Sequence, residues 1–411
     1  MTHRGAGLVT RTSAQPSMRS INRLHIMEAM RANGPVSRVE IGECTGLAPA
    51  TISEITGALV AENLLRESRI VIAGRGRPRV MLEINADGGR VMGVKLSTHQ
   101  VTLSLTDLTG NAIDAVSLPL LPKELGIAAT ADSVAASIHA FLKKQRLLPA
   151  SLSGIGVGLP GFIESGTGTG HWSPLFGANP PSFSRLLMER LGVPVVVEND
   201  VNLVALAERW FGEGKGVDNF CVVTVEHGVG MGMYLDGRLY RGRGGMAAEF
   251  GHVRHREHGL PCRCGQQGCI EAYAADYGIV GRAAGIIELG PLEDARAINA
   301  AVKEITRRAK LGDARLRALF TEAGHALGLG IANLVNILTP ERVLVTGEGM
   351  RAEDLLMRPL IDSFQDNVLP FLRETTPLIW HAWGDEVWAQ GAAARVLNER
   401  FAGTAQEDGP S

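Results

Sequence analysis

The chain has 411 residues, too many for one compact core, and its composition of 45% hydrophobic and 20% charged residues is that of an ordinary globular protein. The net charge of −2 excludes a strongly acidic or basic protein, but the charge is unevenly distributed. Residues 1–90 carry twelve arginines and no lysine against eight acidic residues, while the remainder is net acidic. This asymmetry indicates a nucleic-acid-binding head on a separate body.

Residues 1–18 carry positive charge but no apolar stretch, so they are not a secretory signal, and we interpret them as a disordered tail. Elsewhere no apolar run approaches the ~20 residues that span a bilayer, so no membrane association is expected. Five cysteines fit a disulfide framework poorly, and a cytoplasmic location is expected.

Residues 19–87 begin with two predicted helices. Apolar residues near helical spacing predict the first helix, which Gly34 and Pro35 end. Ser37 stands three positions before Glu40, which is the spacing of a capping box, so a second helix is expected to begin there.

A third helix is predicted after a turn at Gly46, with Pro49 in its first turn. Two short helices around a glycine turn form a helix-turn-helix. The apolar face of its second helix would comprise Ile52, Ile55 and Leu59. The outward side chains are short enough to approach a DNA groove closely. These candidate DNA contacts are Ala50, Thr51, Ser53 and Glu54.

The next segment, RESRIVIAGRGRPRVMLEIN, predicts two strands joined by a turn, which together form a wing. Arginines beside glycine and proline suit a narrow, electronegative minor groove. A helical hairpin that only packs is the alternative interpretation, but a charged wing directly after a helix-turn-helix favours DNA binding. The candidate contacts at the wing tip are Arg75, Gly76, Arg77, Pro78 and Arg79.

Helical and strand patterns then alternate, which is typical of an α/β body. A helix that Pro340 stops is followed by a buried strand and a glycine turn. The other predicted elements are two strands within 91–113, a helix near 130–146, a strand in 154–161, a helix near 183–191, a strand in 193–200 and a glycine-rich hairpin at 228–242.

Polar residues stand at the predicted ends of these elements. Asn199 and Asp200 follow a buried strand, and ligands of open α/β sheets bind outside the carboxyl ends of strands. Glu249, His252 and Glu271 fall in a cysteine-rich segment. A single carboxylate at a strand end is usually a cap, but a cluster of such donors and acceptors would suit sugar hydroxyls.

Three of the five cysteines lie within eight residues, and His252, Cys262, Cys264 and Cys269 have the spacing H-x9-C-x-C-x4-C. Three thiolates and one imidazole suit tetrahedral zinc and leave no open position for water, so a structural zinc ion is predicted. A disulfide is an unfavourable alternative because two of the cysteines are too close for an easy bridge. Buried free thiols are the other alternative.

These motifs resemble the signature of the ROK family (repressors, open reading frames and sugar kinases). The resemblance covers essentially all of residues 88–405, and the cysteine segment is its most specific part. An N-terminal winged helix-turn-helix also occurs in the regulator branch of that family. The matching stretches are EFGH at 249–252, CRCGQQGCIE at 262–271, GLPG at 158–161, ENDVN at 198–202, the glycine run at 228–232 and NILTPERVLVTGEG at 336–349.

The resemblance implies a two-lobed hexokinase/actin-like (ribonuclease H-like) α/β body. Lobe 1 would span 88–205 and be completed by a C-terminal helix at 386–402, and lobe 2, with the zinc site, would span 206–385. By matching motif, His252 would place one ring nitrogen on zinc and the other toward a sugar held between the lobes. The implied sugar ligands are Gly161, Asn199, Asp200, Glu249, His252 and Glu271.

The sequence departs from the kinase pattern at both phosphate loops. Kinase members carry an Asp-x-Gly-Gly-Thr-like loop after the first strand, but residues 93–99 here read GVKLSTH, without the acid or the loop glycines that phosphate binding needs. The second loop begins with Glu226 and His227, and a carboxylate there would repel ATP. A third departure is TGHWSPLFG at 169–177, where His171 and Trp172 would shape a different sugar pocket or only pack.

The sequence therefore predicts a sugar-responsive transcriptional regulator, most simply a repressor, and no enzyme activity. Sugar binding would alter the spacing of two winged heads in a homodimer or dimer of dimers on double-stranded operator DNA. The alternative is an ATP-dependent sugar kinase of the ROK family, in which Asp200 would be the catalytic base. A regulator that senses a protein partner is a third hypothesis.

Overall fold

The computed structural model describes residues 17–70, 79–165, 167–292, 295–381, 384 and 386–403. The chain divides into two compact units. The first unit contains the residues up to Gly88 together with those from Asn398 onward, and the second unit spans Gly89–Leu397.

In the described part of the first unit, three helices and a two-stranded antiparallel sheet precede Gly88. Ser37 and Glu40 form both halves of the expected capping box, and Gly46 ends the second helix with φ 68°, a left-handed conformation that suits glycine. Its elements are α1 (Met18–Asn33), α2 (Arg38–Thr45), α3 (Pro49–Ala61), β1 (Leu65–Ile70) and β2 (Arg79–Ile84).

The predicted apolar faces of these helices are buried together. Their largest buried side chains are Ile26, Met27, Met30, Ile41, Ile52 and Leu59. The wing strands pair from Leu65 opposite Ile84 to Ile70 opposite Arg79. The predicted wing tip at Arg75, Gly76, Arg77 and Pro78 lies outside the described residues, as does the side chain of Arg79.

The second unit begins with a five-stranded sheet in the order β10-β6-β3-β4-β5. The region predicted as two strands also contains the start of a third, β5, whose mostly exposed residues give little apolar signal. The elements are β3 (Arg90–Leu96), β4 (Gln100–Asp107), β5 (Ala112–Pro119), α4 (Pro122–Leu125), α5 (Ile127–Lys144), β6 (Leu152–Leu159), β7 (Phe162–Glu164), β8 (Thr169–Ser173), β9 (Gly177–Ala178), α6 (Phe183–Leu191), β10 (Val195–Asn199) and α7 (Asp200–Phe211).

A second five-stranded sheet follows, in the order β13-β12-β11-β14-β15. Each of the two sheets packs its apolar residues with helices in a core of its own. The elements are β11 (Phe220–Val225), β12 (Val229–Leu235), β13 (Arg238–Leu239), α8 (Ile270–Ala274), α9 (Asp276–Ala283), α10 (Ala295–Lys310), α11 (Ala314–Leu338), β14 (Arg342–Thr346), α12 (Glu353–Asn367), α13 (Pro370–Thr375), β15 (Leu378–Trp380) and α14 (Glu386–Ala402).

Helix α11 is long and apolar enough to cross a membrane by length and composition alone. However, 61% of its most apolar window is buried inside the protein, and the helix packs along α12. Its apolar residues are therefore those of a core helix.

Candidate functional site

The site lies where β6 and β10 end. Asn199 is the last residue of β10 and caps α7, since its Oδ1 accepts hydrogen bonds from the N–H groups of Val201 (2.9 Å) and Asn202 (3.1 Å). Its Nδ2 donates to the carbonyl oxygen of Gly161 at 3.0 Å. The cap and this bond fix the Asn199 amide and place Asp200 at the first position of α7.

Gly161 has φ 115°, in the region that favours glycine. A Cβ atom there would lie 2.3 Å from the carbonyl oxygen of Trp172 on β8, so a side chain has no room. The backbone of Gly161 is therefore held against the small sheet β7-β8-β9, with Trp172 44% exposed beside it.

Three carboxylates converge near this point. Burial, together with the nearby charges of Glu271 and Asp200, raises the pKa of Glu249 to about 7. Burial also raises the pKa of Asp200, against the opposing charge of Lys95. Glu271 is held in place, since its Oε2 accepts from the N–H of Val229 at 3.1 Å. These acceptors, beside the Asn199 amide, form a set that suits hydroxyl groups.

The four predicted metal ligands also come together. One ligand atom from each of His252, Cys262, Cys264 and Cys269 lies within 4.8 Å of all the others. The Cys264 and Cys269 Sγ atoms are 3.7 Å apart, and so are Cys262 Sγ and His252 Nδ1. An edge of this length fits a tetrahedron of about 2.3 Å metal–sulfur bonds. The cluster could therefore hold a tetrahedral metal ion.

The metal cluster and the carboxylates share side chains. His252 turns Nδ1 toward Cys262, and its Nε2 lies 3.9 Å from Glu249 Oε2. Glu271 Oε1 accepts a hydrogen bond from the Tyr277 hydroxyl (3.2 Å), which also lies 3.4 Å from Cys262 Sγ. The cysteine loop therefore positions two of the candidate sugar ligands.

The residues that the resemblance assigns to the second phosphate loop, Glu226 and His227, lie in a largely buried network of charges. Burial raises the pKa of Glu226 to about 7, with Lys95 opposing the shift. Burial disfavours the charged form of the His227 imidazole, but the nearby Asp276 carboxylate favours it, and the net effect is a raised pKa of His227. His227 Nδ1 lies 3.3 Å from Asp276 Oδ2. Arg351 pairs with Asp276 from the other side. His227 and Arg351 therefore both pair with the Asp276 carboxylate of this chain.

In the first unit, the four outward residues of α3 lie as expected on its accessible face. Ala50, Ser53 and Glu54 are exposed, and Thr51 is partly exposed. Glu54 is 3.4 Å from Arg19, an exposed pair that contributes little to stability.

Sequence reasoning missed two buried charges. Glu198 is 1% exposed, and its Oε2 lies 2.7 Å from Arg241 Nε and 3.6 Å from Arg395 Nε. Lys95 is 5% exposed, with Nζ 3.7 Å from the centre of the Trp388 ring. For Lys95, the only available signal was a lysine within the apolar strand GVKL. The two arginines that pair with Glu198 are too distant in sequence for the sequence to reveal them.

Comparison with known proteins finds the model of the ROK family matching residues 91–399. The xylose repressor of Caldicellulosiruptor bescii is 29% identical over 351 residues, which are 84% of this chain and 87% of that protein. The DNA-binding transcriptional dual regulator NagC of Escherichia coli is 28% identical over 369 residues, 88% of this chain and 89% of that protein. A solved ROK family transcriptional regulator, a homologue of the E. coli MLC protein, has a TM-score of 0.79 at 26% identity and covers 93% of this chain and 98% of its own.

Proposed function

The chain belongs to the ROK family, and from this we propose that it is a DNA-binding transcriptional repressor whose operator affinity is changed by a sugar. The xylose repressor and the regulator NagC align with part of the head as well as the body, since they cover 84% and 88% of this chain. It is a regulator rather than an enzyme. The observation that carries this conclusion is a winged helix-turn-helix joined to a body whose sequence lacks the phosphate-loop residues that the kinase pattern requires.

For the sugar site we propose the ligands that the family motifs indicate. The convergence of Asp200, Glu249 and Glu271, with Asn199 fixed beside them, supports this assignment. A retained Asp200 accepts a sugar hydroxyl without catalysing its phosphorylation. The full proposed set is Gly161, Asn199, Asp200, Glu249, His252 and Glu271.

For the metal site we propose one structural zinc ion on His252, Cys262, Cys264 and Cys269. The 3.7 Å spacing of the ligand atoms and the donor set of three thiols and one imidazole support it. Bound zinc would fix the loop that carries Glu249 and the start of α8, which carries Glu271.

For DNA we propose that α3 enters the major groove through Ala50, Thr51, Ser53 and Glu54, and that the wing residues 75–79 contact the minor groove. The exposure of the α3 residues supports the first part. We also propose that the protein acts in the cytoplasm as a homodimer or a dimer of dimers, because two heads would then dock on half-sites about one DNA turn apart.

A thermal-shift screen tests the sugar site directly. A ligand at a hundred times its dissociation constant stabilises a protein by about 2.7 kcal/mol. We expect a shift with at least one sugar from a panel that includes D-xylose, D-glucose and N-acetyl-D-glucosamine, and none with ATP-magnesium. The sugar that shifts the melting temperature is then added to the operator complex, where we expect it to weaken binding.

The kinase alternative rests on the presence of Asp200 alone. Phosphoryl transfer from ATP to any sugar of the panel at ~1–100 s⁻¹ would contradict the regulator assignment. We expect none, since residues 93–99 lack the acid and the loop glycines of the kinase pattern and the Glu226 carboxyl lies in the second loop.

A further inference from the structure

The last helix, α14, packs against the sugar-site sheet with almost no side chains between their backbones. A Cβ atom on Gly93 of β3 would lie 1.7 Å from the carbonyl oxygen of Ala389, and one on Gly156 of β6 would lie 1.9 Å from that of Ala392. On the other side, a Cβ on Gly391 would lie 2.0 Å from the carbonyl oxygen of Leu203 in α7. Because contacts of this kind have no flexible side chains, a shift of β6 or α7 displaces α14 as well.

Two charged contacts hold α14 on this surface. Lys95 of β3 places Nζ 3.7 Å from the centre of the Trp388 ring, a buried cation–π contact. Glu198 of β10 places Oε2 3.6 Å from Nε of Arg395. Trp388 is 2% exposed, so the first contact is shielded from water.

Both contacts start beside the proposed sugar ligands. Lys95, Gly158 and Glu198 pair in register across β3, β6 and β10, so they lie in one row on one face of the sheet. Glu198 directly precedes Asn199. Lys95 is the cation that opposes the raised pKa of Asp200. A sugar whose hydroxyl groups hydrogen-bond to Asn199 and Asp200 therefore changes the surroundings of both contacts.

The far end of α14 is bonded inside the first unit. The carbonyl oxygen of Phe401 accepts a hydrogen bond from Arg23 Nε of α1 at 2.8 Å. The same guanidinium donates to both oxygens of Glu62, each at 2.7 Å, and Glu62 caps the C-terminus of α3. The Arg23 side chain is only 6% exposed, so it is a fixed connection between α14, α1 and the proposed recognition helix.

From these contacts we propose that α14 is the element that transmits sugar occupancy to the DNA-binding head, with Lys95 and Arg395 as the positioning residues that couple it to the sugar site. The proposal rests on the function proposed above and adds the residues that carry the coupling. In this proposal, Trp388 is the residue through which Lys95 displaces α14, and the Phe401 carbonyl is the group through which α14 displaces Arg23.

The test separates coupling from either binding event. Trp388→Leu removes the aromatic ring that Lys95 contacts. Trp388→Phe is the matched control, because it also reduces the side-chain volume but keeps an aromatic ring. Arg395→Gln removes the second contact, and Arg358→Gln, an exposed arginine on α12, controls for charge. Each variant is measured for sugar affinity by calorimetry and for affinity to a duplex selected by the wild-type chain, with and without the sugar identified from the panel.

We expect Trp388→Leu and Arg395→Gln to bind sugar alone and duplex alone with affinities within a few-fold of wild type. We also expect the ratio of duplex affinities without and with sugar to drop by at least a factor of ten in these variants, toward a value of one. Trp388→Phe and Arg358→Gln should keep the wild-type fold-change. An unreduced fold-change in the Leu and Gln variants overturns the coupling role alone. A wild-type chain whose duplex affinity ignores every sugar overturns the proposed function, and the coupling role with it.

Hydrogen exchange on the wild-type protein covers the case in which a core variant does not fold. Sugar should change amide protection in α14 and in α1. Unchanged protection in both helices, under conditions where the sugar alters duplex affinity, also overturns the proposal.

Discussion

Replacing Glu226 by glutamine should stabilise the second unit at alkaline pH. Glu226 follows β11, and burial raises the pKa of its carboxyl from 4.5 to about 7, with Lys95 opposing and Glu348 and Asp200 adding to the shift. Glutamine has almost the same shape and keeps an oxygen for the N–H of Glu348, which lies 3.4 Å from Glu226 Oε1. The substitution therefore removes the ionisation and little else.

The sign of the effect follows from the two protonation equilibria. Since the folded carboxyl keeps its proton up to about pH 7 while the unfolded one loses it near pH 4.5, the free energy of unfolding falls as pH rises between these values. It then stays lower by a constant amount at higher pH. At about 1.4 kcal/mol per pKa unit, the full difference is on the order of 3 kcal/mol.

The assay is denaturant unfolding of wild type and Glu226→Gln at about pH 5 and about pH 8, read from tryptophan fluorescence. We expect little difference at the lower pH and a gain approaching ~3 kcal/mol for the variant at the higher pH. Glu304→Gln, at a surface position of α10 where the carboxylate pairs with Arg307 and Arg308, is the control and should show no such gain at high pH. An equal gain at both pH values, or none at the higher one, would refute the burial argument for Glu226.

The other predictions concern the sugar site, the metal cluster and the wing. Gly161→Ala should abolish the sugar-induced thermal shift because its Cβ would lie 2.3 Å from a carbonyl oxygen, whereas Gly281→Ala, with open space around it, should leave the shift intact. Elemental analysis of folded, chelator-washed protein should find one zinc ion per chain. The Cys264→Ser variant should lose this zinc ion, and the control variant Cys44→Ser should keep it. A zinc-free wild-type protein would exclude the proposed metal site. Arg77→Ala should weaken duplex binding mainly at A·T-rich flanks, and an unchanged affinity at fixed salt would exclude a minor-groove role.

Local spacing made much of the first unit predictable. The capping box at Ser37 and Glu40 and the left-handed turn at Gly46 depend on residues within one or two helical turns, so the sequence contains their whole cause. The convergence of His252 with three cysteines was predictable for the same reason, since a single loop carries all four.

Larger parts of the second unit were not predictable. The strand β5 is mostly exposed, and the short strands β7 to β9 have no sustained alternation, so periodicity gave no signal for them. The order of each sheet is likewise set by pairings between distant segments, such as β3 with β6 and β11 with β14.

The sequence by itself determined the α/β class, the helix-turn-helix, the spacing of the proposed metal ligands and the departure from the kinase phosphate-loop pattern, because each is expressed in neighbouring residues or in periodicity. Only the tertiary structure decided that Lys95 faces Trp388 and that Glu198 meets both Arg241 and Arg395. Those partners are separated by tens to hundreds of residues, and burial is what selects them: a charge removed from water must find an opposite charge or an aromatic face, wherever the fold places one.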